Sequence, residues 1–412
     1  MSAVVYQALS PSRKILPQHI VLISFLAIST FGLSLSFRAR DLGDTSLDLQ
    51  NGIKLIIWLL ITALCLFNIR KIIPLLGSPS GLALSFLSVM ALASTAWSEK
   101  PLYTLACAIG FSAYCGFAAL CLSEMTESDF YKVIQNLLLA FVALGTIGAL
   151  VVPDIAWQPP SVEETQFRLQ GFAANSNNFG RMAALLTLMG MGALKRKQAI
   201  SIDALLSMSV GLAGLLLSGS RTGLVAATLA AGLVAFRFFR HRLIVLLSLL
   251  AMLAIVLFFT AYGVSFNSLF KGMSRTGLES EILTLTGRTD LWGAAWALIS
   301  ERPFFGWGFN GTEERLSLMM GPDFYGTPVN PHQMFLHLAL GLGLMGVTPA
   351  LTFIFYRLKT FILNPQSLND LLALFILING MAEVDLFGTP LFTNIIFFRI
   401  ILKDGVLKRQ TP

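Results

Sequence analysis

Apolar residues run along this chain in blocks of 15 to 25 positions, separated by mostly short polar connections. A helix of about 20 residues crosses the ~30 Å hydrocarbon core of a bilayer. In lipid every backbone N–H and C=O needs an internal partner, so such blocks are helices. The pattern predicts twelve spans, at about 20–37, 52–69, 81–97, 101–122, 132–152, 178–194, 201–218, 222–238, 243–262, 332–356, 368–384 and 389–403. They make one integral membrane domain over 1–412, an all-α polytopic fold. Two longer polar stretches interrupt it, a smaller loop at 153–177 and a large one at 263–331. Inside the large loop Leu291, Ala294, Ala295, Leu298 and Ile299 recur at helical spacing, and Pro303 stops the pattern. Trp292 and Trp296 lie one turn apart there, which predicts a helix along the membrane surface.

Composition points the same way. Of 412 residues 55% are hydrophobic and only 12% charged, with a mean hydropathy of +0.73. Soluble domains carry about twice that charged fraction. The first block follows Arg13 and Lys14, and no small-x-small cleavage site comes after it, so it reads as a span and not a leader. The net charge of +7 is spread over alternate connections: Arg70-Lys71, Lys195-Arg196-Lys197, Arg237/Arg240/Arg242, Arg357/Lys359 and Lys408-Arg409. The positive-inside rule places these and both termini in the cytoplasm; Arg38 and Arg40 alone run against it. Charges so dispersed do not make a nucleic-acid surface. Cys65, Cys107, Cys115 and Cys121 lie in apolar blocks without ligand spacing and read as small core residues, so no metal is expected. Neither a Walker A loop nor a dinucleotide fingerprint occurs, and no nucleotide cofactor is expected.

With twelve spans, the loops 153–177 and 263–331, the turn Ser218-Gly219-Ser220-Arg221 and the segment Ala382–Asp385 share the outer face. Arg221 opens a helix there, where free N–H groups and a guanidinium fork suit a phosphate; a snorkelling arginine among lipid headgroups fits the same position. Arg288 opens the surface helix, either as a second phosphate cation or as an ion-pair partner of Asp290 or a nearby Glu. Arg168, Asn175, Asn177, Asn178 and Arg181 gather where the smaller loop enters the sixth span. A charge such as Arg181 at a span needs a polar cavity or a partner. Glu383 and Asp385 are candidate counter-charges or a candidate general base. His332, after Asn330-Pro331, suits proton transfer or is merely interfacial, since histidine ordinarily titrates near neutrality. His337 reads as structural. Arginines, a histidine and carboxylates on one face could hold a membrane-embedded diphosphate.

An ordered set of motifs carries a family likeness. Leu217-Ser218-Gly219-Ser220-Arg221-Thr222-Gly223 is followed by Gly287-Arg288-Thr289-Asp290-Leu291-Trp292 and Pro303-Phe304-Phe305-Gly306-Trp307-Gly308. Then come His332-Gln333-Met334-Phe335-Leu336 and Gly341-Leu342-Gly343-Leu344-Met345-Gly346. Over about 205–358 the chain resembles the O-antigen ligase and Wzy-type polysaccharide polymerase superfamily, and in length and loop pattern its ExoQ-like exopolysaccharide polymerases. The resemblance implies a bacterial inner-membrane glycosyltransferase of the lipid-carrier (GT-C-like) type, independent of metal. It implies an undecaprenyl-diphosphate-linked donor, a glycan acceptor, and a chain-length regulator and flippase as pathway partners. It also implies that Arg221 and Arg288 hold the pyrophosphate and that His332 assists the acceptor. Arg168, Asn177, Arg181 and Trp307 are then expected to bind diphosphate or glycan, with Glu383 or Asp385 as the alternative base. The family often has His-Asn where this chain has His332-Gln333. Polymerase and ligase readings both remain open, with a twelve-helix transporter or flippase as the rival from another class; charges gathered at one face speak against that rival.

Overall fold

The computed structural model describes residues 17–34, 49–159, 167–196, 201–238, 288–321 and 330–407. The predicted ninth span, 243–262, and the basic residues Arg13, Lys14, Arg38, Arg40, Lys197, Arg240, Arg242, Lys408 and Arg409 lie outside the described residues.

The first half holds α1 (Pro17–Ser34), α2 (Leu49–Phe67), a short α3 (Ile69–Leu76), α4 (Pro79–Ala93), α5 (Pro101–Glu124) and α6 (Glu127–Val151). One turn, α7 (Pro153–Ala156), and two antiparallel strands follow, β1 (Trp157–Gln158) and β2 (Arg168–Leu169), with Gln158 opposite Arg168. Next come α8 (Ser176–Arg196), α9 (Ile202–Leu217) and α10 (Arg221–Phe238). The large loop holds α11 (Arg288–Glu301) and α12 (Glu313–Met320). The chain closes on α13 (Met334–Leu363), α14 (Ser367–Gly380) and α15 (Phe392–Leu407). Five helices among the described residues are long and apolar enough to cross a membrane: α2, α4 with its 3-10 extension to Ala96, α5, α6 and α13. Stretches of α1, α9 and α14 are apolar but shorter.

α5 forms the centre, with Phe111, Tyr114 and Phe117 fully buried. Small residues let its neighbours approach. A Cβ at Gly110 would lie 2.7 Å from the Trp58 ring of α2, and one at Gly211 of α9 would lie 2.8 Å from the Ala183 carbonyl of α8. Between lipid-solvated helices no hydrophobic force drives association, so such close backbone packing supplies it. All four cysteines are buried, as expected.

Contacts among the described residues sort the helix ends into two groups. At one end Arg168 meets Ser218, Arg181 meets Asp385, and Asn310 meets Phe387. At the other, Lys71 pairs with Glu124 at 3.0 Å, and Arg237 bonds the Ile362 carbonyl at 2.9 Å. This second end corrects the expectation that charge gathers at one face only. Arg357 reaches both Asp404 oxygens, at 3.0 and 2.8 Å, and also pairs with Asp370; each of the three is at most 3% exposed. Arg357 and Lys359, expected in a connection, therefore belong to α13. A guanidinium is admitted there because two carboxylates neutralise it. Arg70 and Lys71 likewise stand inside α3, and α14 stops at Gly380 rather than reaching 384.

α13 is broken at Gly343, which sits at φ 59°, ψ −153°. The interruption is filled by the segment after α11. In an unbroken helix Leu344 N–H would reach the Leu340 carbonyl, and Met345 N–H that of Gly341. Instead those carbonyls accept from Trp307 N at 2.8 Å and Gly308 N at 2.9 Å. The N–H groups of Leu344 and Met345 donate to Pro303 O at 2.8 Å and Phe304 O at 3.1 Å. Two helical bonds are replaced by four between segments, which satisfies a break in apolar surroundings. Glycine makes the approach possible: a Cβ on Gly343 would lie 2.5 Å from the Phe304 backbone, and one on Gly306 (φ 63°) 2.5 Å from that of Gly341.

Candidate functional site

Four segments converge at the first end: β2 with the start of α8, the turn between α9 and α10, the connection between α14 and α15, and the residues leading into α13. A line of hydrogen bonds joins them. Arg168 Nε donates to the Ser218 carbonyl at 3.1 Å, and its Nη2 donates to Asn177 Oδ1 at 2.5 Å. Asn177 Nδ2 donates to Glu383 Oε1 at 3.0 Å. The other carboxylate oxygen, Oε2, faces His332 Nδ1 at 3.4 Å. In the tautomer that donates Nδ1–H to this carboxylate, Nε2 carries the lone pair.

The backbone presents His332 deliberately. Its φ of 45° is rare for a residue with a Cβ, and Asn330 Oδ1 holds its N–H at 3.0 Å. Trp292 Nε1 donates to the Pro331 carbonyl at 2.8 Å, tying α11 to this corner. Gln333 Oε1 accepts from Leu336 N–H at 2.5 Å and so caps α13, a task its departure from Asn leaves intact. The His332 side chain is 39% exposed and that of Glu383 15%, so the pair is reachable but sheltered.

Arg221 begins α10 directly after Gly219 (φ 58°) and Ser220, whose hydroxyl accepts from Gly223 N–H at 3.3 Å. The turn is pressed against α8, since a Cβ on Gly180 would lie 2.5 Å from Ser218 Oγ. The α10 N-terminus thus opens beside Arg168, whose Nε would lie 3.4 Å from a Cβ on Gly219. Arg221 itself is half-buried. Arg288 opens α11, and its side chain lies outside the described residues.

Three expected site residues are used for support. Arg181 is 5% exposed, pairs through Nη1 with Asp385 and donates through Nη2 to Asn178 Oδ1 at 2.7 Å. Asp385 is fully buried and also accepts from Asn379 at 2.6 Å. Fully buried and ion-paired with Arg181, this carboxylate lacks the access a general base needs. Trp307 is 5% exposed, donates to the Leu298 carbonyl at 2.9 Å, and has Arg302 and Arg315 over its ring at 3.9 and 3.6 Å. No face of the indole is left for a sugar. One residue escaped the sequence reading. Asn310 holds φ 58°, accepts from His337 Nε2 at 2.7 Å and donates to the Phe387 carbonyl at 3.3 Å, joining the large loop to α13 and to the connection bearing Glu383. The Gly-Phe-Asn-Gly run at 308–311 was its only signal. Among the described residues no three His, Cys, Asp or Glu side chains group as a metal centre requires.

Residues 206–351 match the protein-family model Wzy_C, described as O-antigen ligase. The match contains the α9–α10 turn with Arg221, the break in α13 and His332, and it bears out the superfamily that the motifs resemble. No curated protein matches the chain.

Proposed function

From the premise of an O-antigen ligase-type domain at residues 206–351, we propose that this chain polymerises glycan repeat units. The donor is an undecaprenyl-diphosphate-linked oligosaccharide, and the reaction runs at the periplasmic face of the bacterial inner membrane. One observation carries the reading: His332 Nδ1 against Glu383, beside the helix start that bears Arg221. The acceptor hydroxyl gives its proton to His332 Nε2 as its oxygen attacks the donor's anomeric carbon. The bond from that carbon to the diphosphate breaks, and the diphosphate leaves with the electron pair. Glu383 stabilises the imidazolium that forms, and Asn177 with Arg168 behind it keeps the carboxylate aimed. Arg221, the positive end of the α10 dipole and Arg288 meet the charge developing on the leaving group. No step calls for a metal. The family match favours such transfer over a transporter, and a chain-length regulator and flippase are the partners this role needs.

The test uses carrier-linked repeat units and purified protein in liposomes. His332→Ala and Arg288→Ala should each abolish chain growth at unchanged protein level, His332→Ala with donor binding retained. Normal polymer from stable Arg288→Ala protein, or lost donor binding in His332→Ala, refutes these roles. A deletion strain separates the ligase reading: single repeat units remaining mean polymerase, whereas full-length carrier-linked chains that never reach lipid A mean ligase.

A further inference from the structure

A cleft of about 450 Å³ lies at the same end of the bundle, lined by Trp97, Arg302, Pro303, Phe304, Phe305 and Gly306. Its walls are aromatic. Trp97 and Phe305 meet edge to face at 5.9 Å, Trp97 Nε1 donates to the Phe305 carbonyl at 3.3 Å, and Phe304 and Phe305 are 57% and 52% exposed. Only Arg302 brings charge. It is exposed, stacks on Trp307, and has no ion pair among the described residues; the nearby Glu99 is taken by Arg315. The cleft also has a definite height. Its floor residues Pro303 and Phe304 accept the N–H groups of Leu344 and Met345, where the inner piece of α13 begins. That piece, Leu344 to Leu363, counts twenty residues and spans about 30 Å, enough to cross hydrocarbon by itself. Leu344, Met345 and, on α4, Leu92 are exposed apolar residues around this level. The cleft therefore opens at the membrane boundary, apolar inside and cationic at its rim.

A sugar held here would find almost no hydrogen-bond partner, whereas a hydrocarbon chain loses nothing. A single phosphate at the rim is matched by the guanidinium. We infer that this cleft seats the prenyl chain of the second substrate, the polyprenyl-diphosphate-linked acceptor, with its phosphate on Arg302. The inference rests on the glycan-transfer reading, in which Arg221 and Arg288 are engaged by the donor. The same segment that floors the cleft clasps α13 at Leu340, Gly341, Leu344 and Met345, about two to three turns beyond the helix start that follows His332, so an anchored acceptor presents its glycan toward the base.

The test is photolabelling of the full chain in phosphatidylcholine nanodiscs with a benzophenone-bearing farnesyl diphosphate, and peptide mapping of the label. The expected result is label on Trp97 or the 302–306 segment, blocked by undecaprenyl diphosphate and not by phosphatidylglycerol. Arg302→Gln should lower label at this position about tenfold, whereas Arg302→Lys should keep it within threefold. Phe304→Ser with Phe305→Ser should abolish it. Label only elsewhere, indifference to Arg302→Gln, or equal competition by phosphatidylglycerol overturns the inference, the last by showing a bilayer-lipid groove. His332→Ala, inactive in transfer, should label normally. Transfer by the wild type without label here sinks the inference alone, and label without any transfer sinks the reading on which it rests.

Discussion

Glu383→Gln isolates the contribution of the carboxylate to the base. Glutamine keeps an oxygen for Asn177 Nδ2 and nearly the same volume, so the change is one charge at 3.4 Å from His332 Nδ1. Coulomb's law gives about 5 kcal/mol for that pair at an effective dielectric of 20, and about 1 kcal/mol in bulk water. His332 is 39% exposed, which places the site between these limits. A loss of about 3 kcal/mol follows, a fall in kcat of about a hundredfold. The carboxylate acts only once the imidazolium forms, so KM should stay within about threefold. Initial rates of chain extension in liposomes measure both constants. A double-mutant cycle supplies the control: in a His332→Ala background Glu383→Gln should cost almost nothing more, because its effect passes through the histidine. A kcat within threefold of wild type, a loss confined to KM, or full additivity in the cycle refutes the argument.

Arg181→Met strands the Asp385 charge in the interior and should cost about 3–5 kcal/mol; Arg181→Met with Asp385→Asn should recover more than half. Thermal unfolding in detergent compares them, and equal losses in single and double variants refute the brace. Gly343→Ala forces a Cβ to 2.5 Å from the Phe304 backbone at a φ of 59°, and about 2–4 kcal/mol of destabilisation is expected. An unchanged unfolding midpoint refutes the break as drawn. Outside the spans, the Arg315 hydrogen bond holds the Glu99 carboxyl below its ordinary range. A depressed carboxylate pKa contributes stability that is present above the unfolded value and lost as pH falls through the folded one. The small stability advantage of wild type over Arg315→Ala should therefore be constant above about pH 5 and shrink below about pH 4.3. An advantage that grows on acidification contradicts this.

The helices were legible because lipid leaves a chain no other way to satisfy its backbone. Their ends were less so wherever a partner makes a charge affordable inside. Arg357 read as a loop cation because nothing local announces Asp370 and Asp404. Residue types at the site were visible in Arg168, Asn177, His332 and Glu383, but their pairing was not, since Asn177 and Glu383 stand 206 positions apart. For Arg181 the need of a counter-charge was visible, but not which of Glu383 and Asp385 supplies it; Asp385 does. The break at Gly343 was hidden because apolar sequence continues through it. Both glycine motifs that build it were in view as separate signatures, and only the fold reveals that one is the other's complement.

That complementarity sets an order of assembly. While the chain is being threaded, Leu344 and Met345 can bond to Leu340 and Gly341, and the 30-residue α13 can enter the bilayer straight. Bending becomes favourable only once 303–308, made earlier, arrives with its own four partners. His332 reaches its final position in that last step. Under the proposed function, the turn with Arg221 is then formed before His332 settles, and transfer waits until the 303–308 segment has closed on the helix.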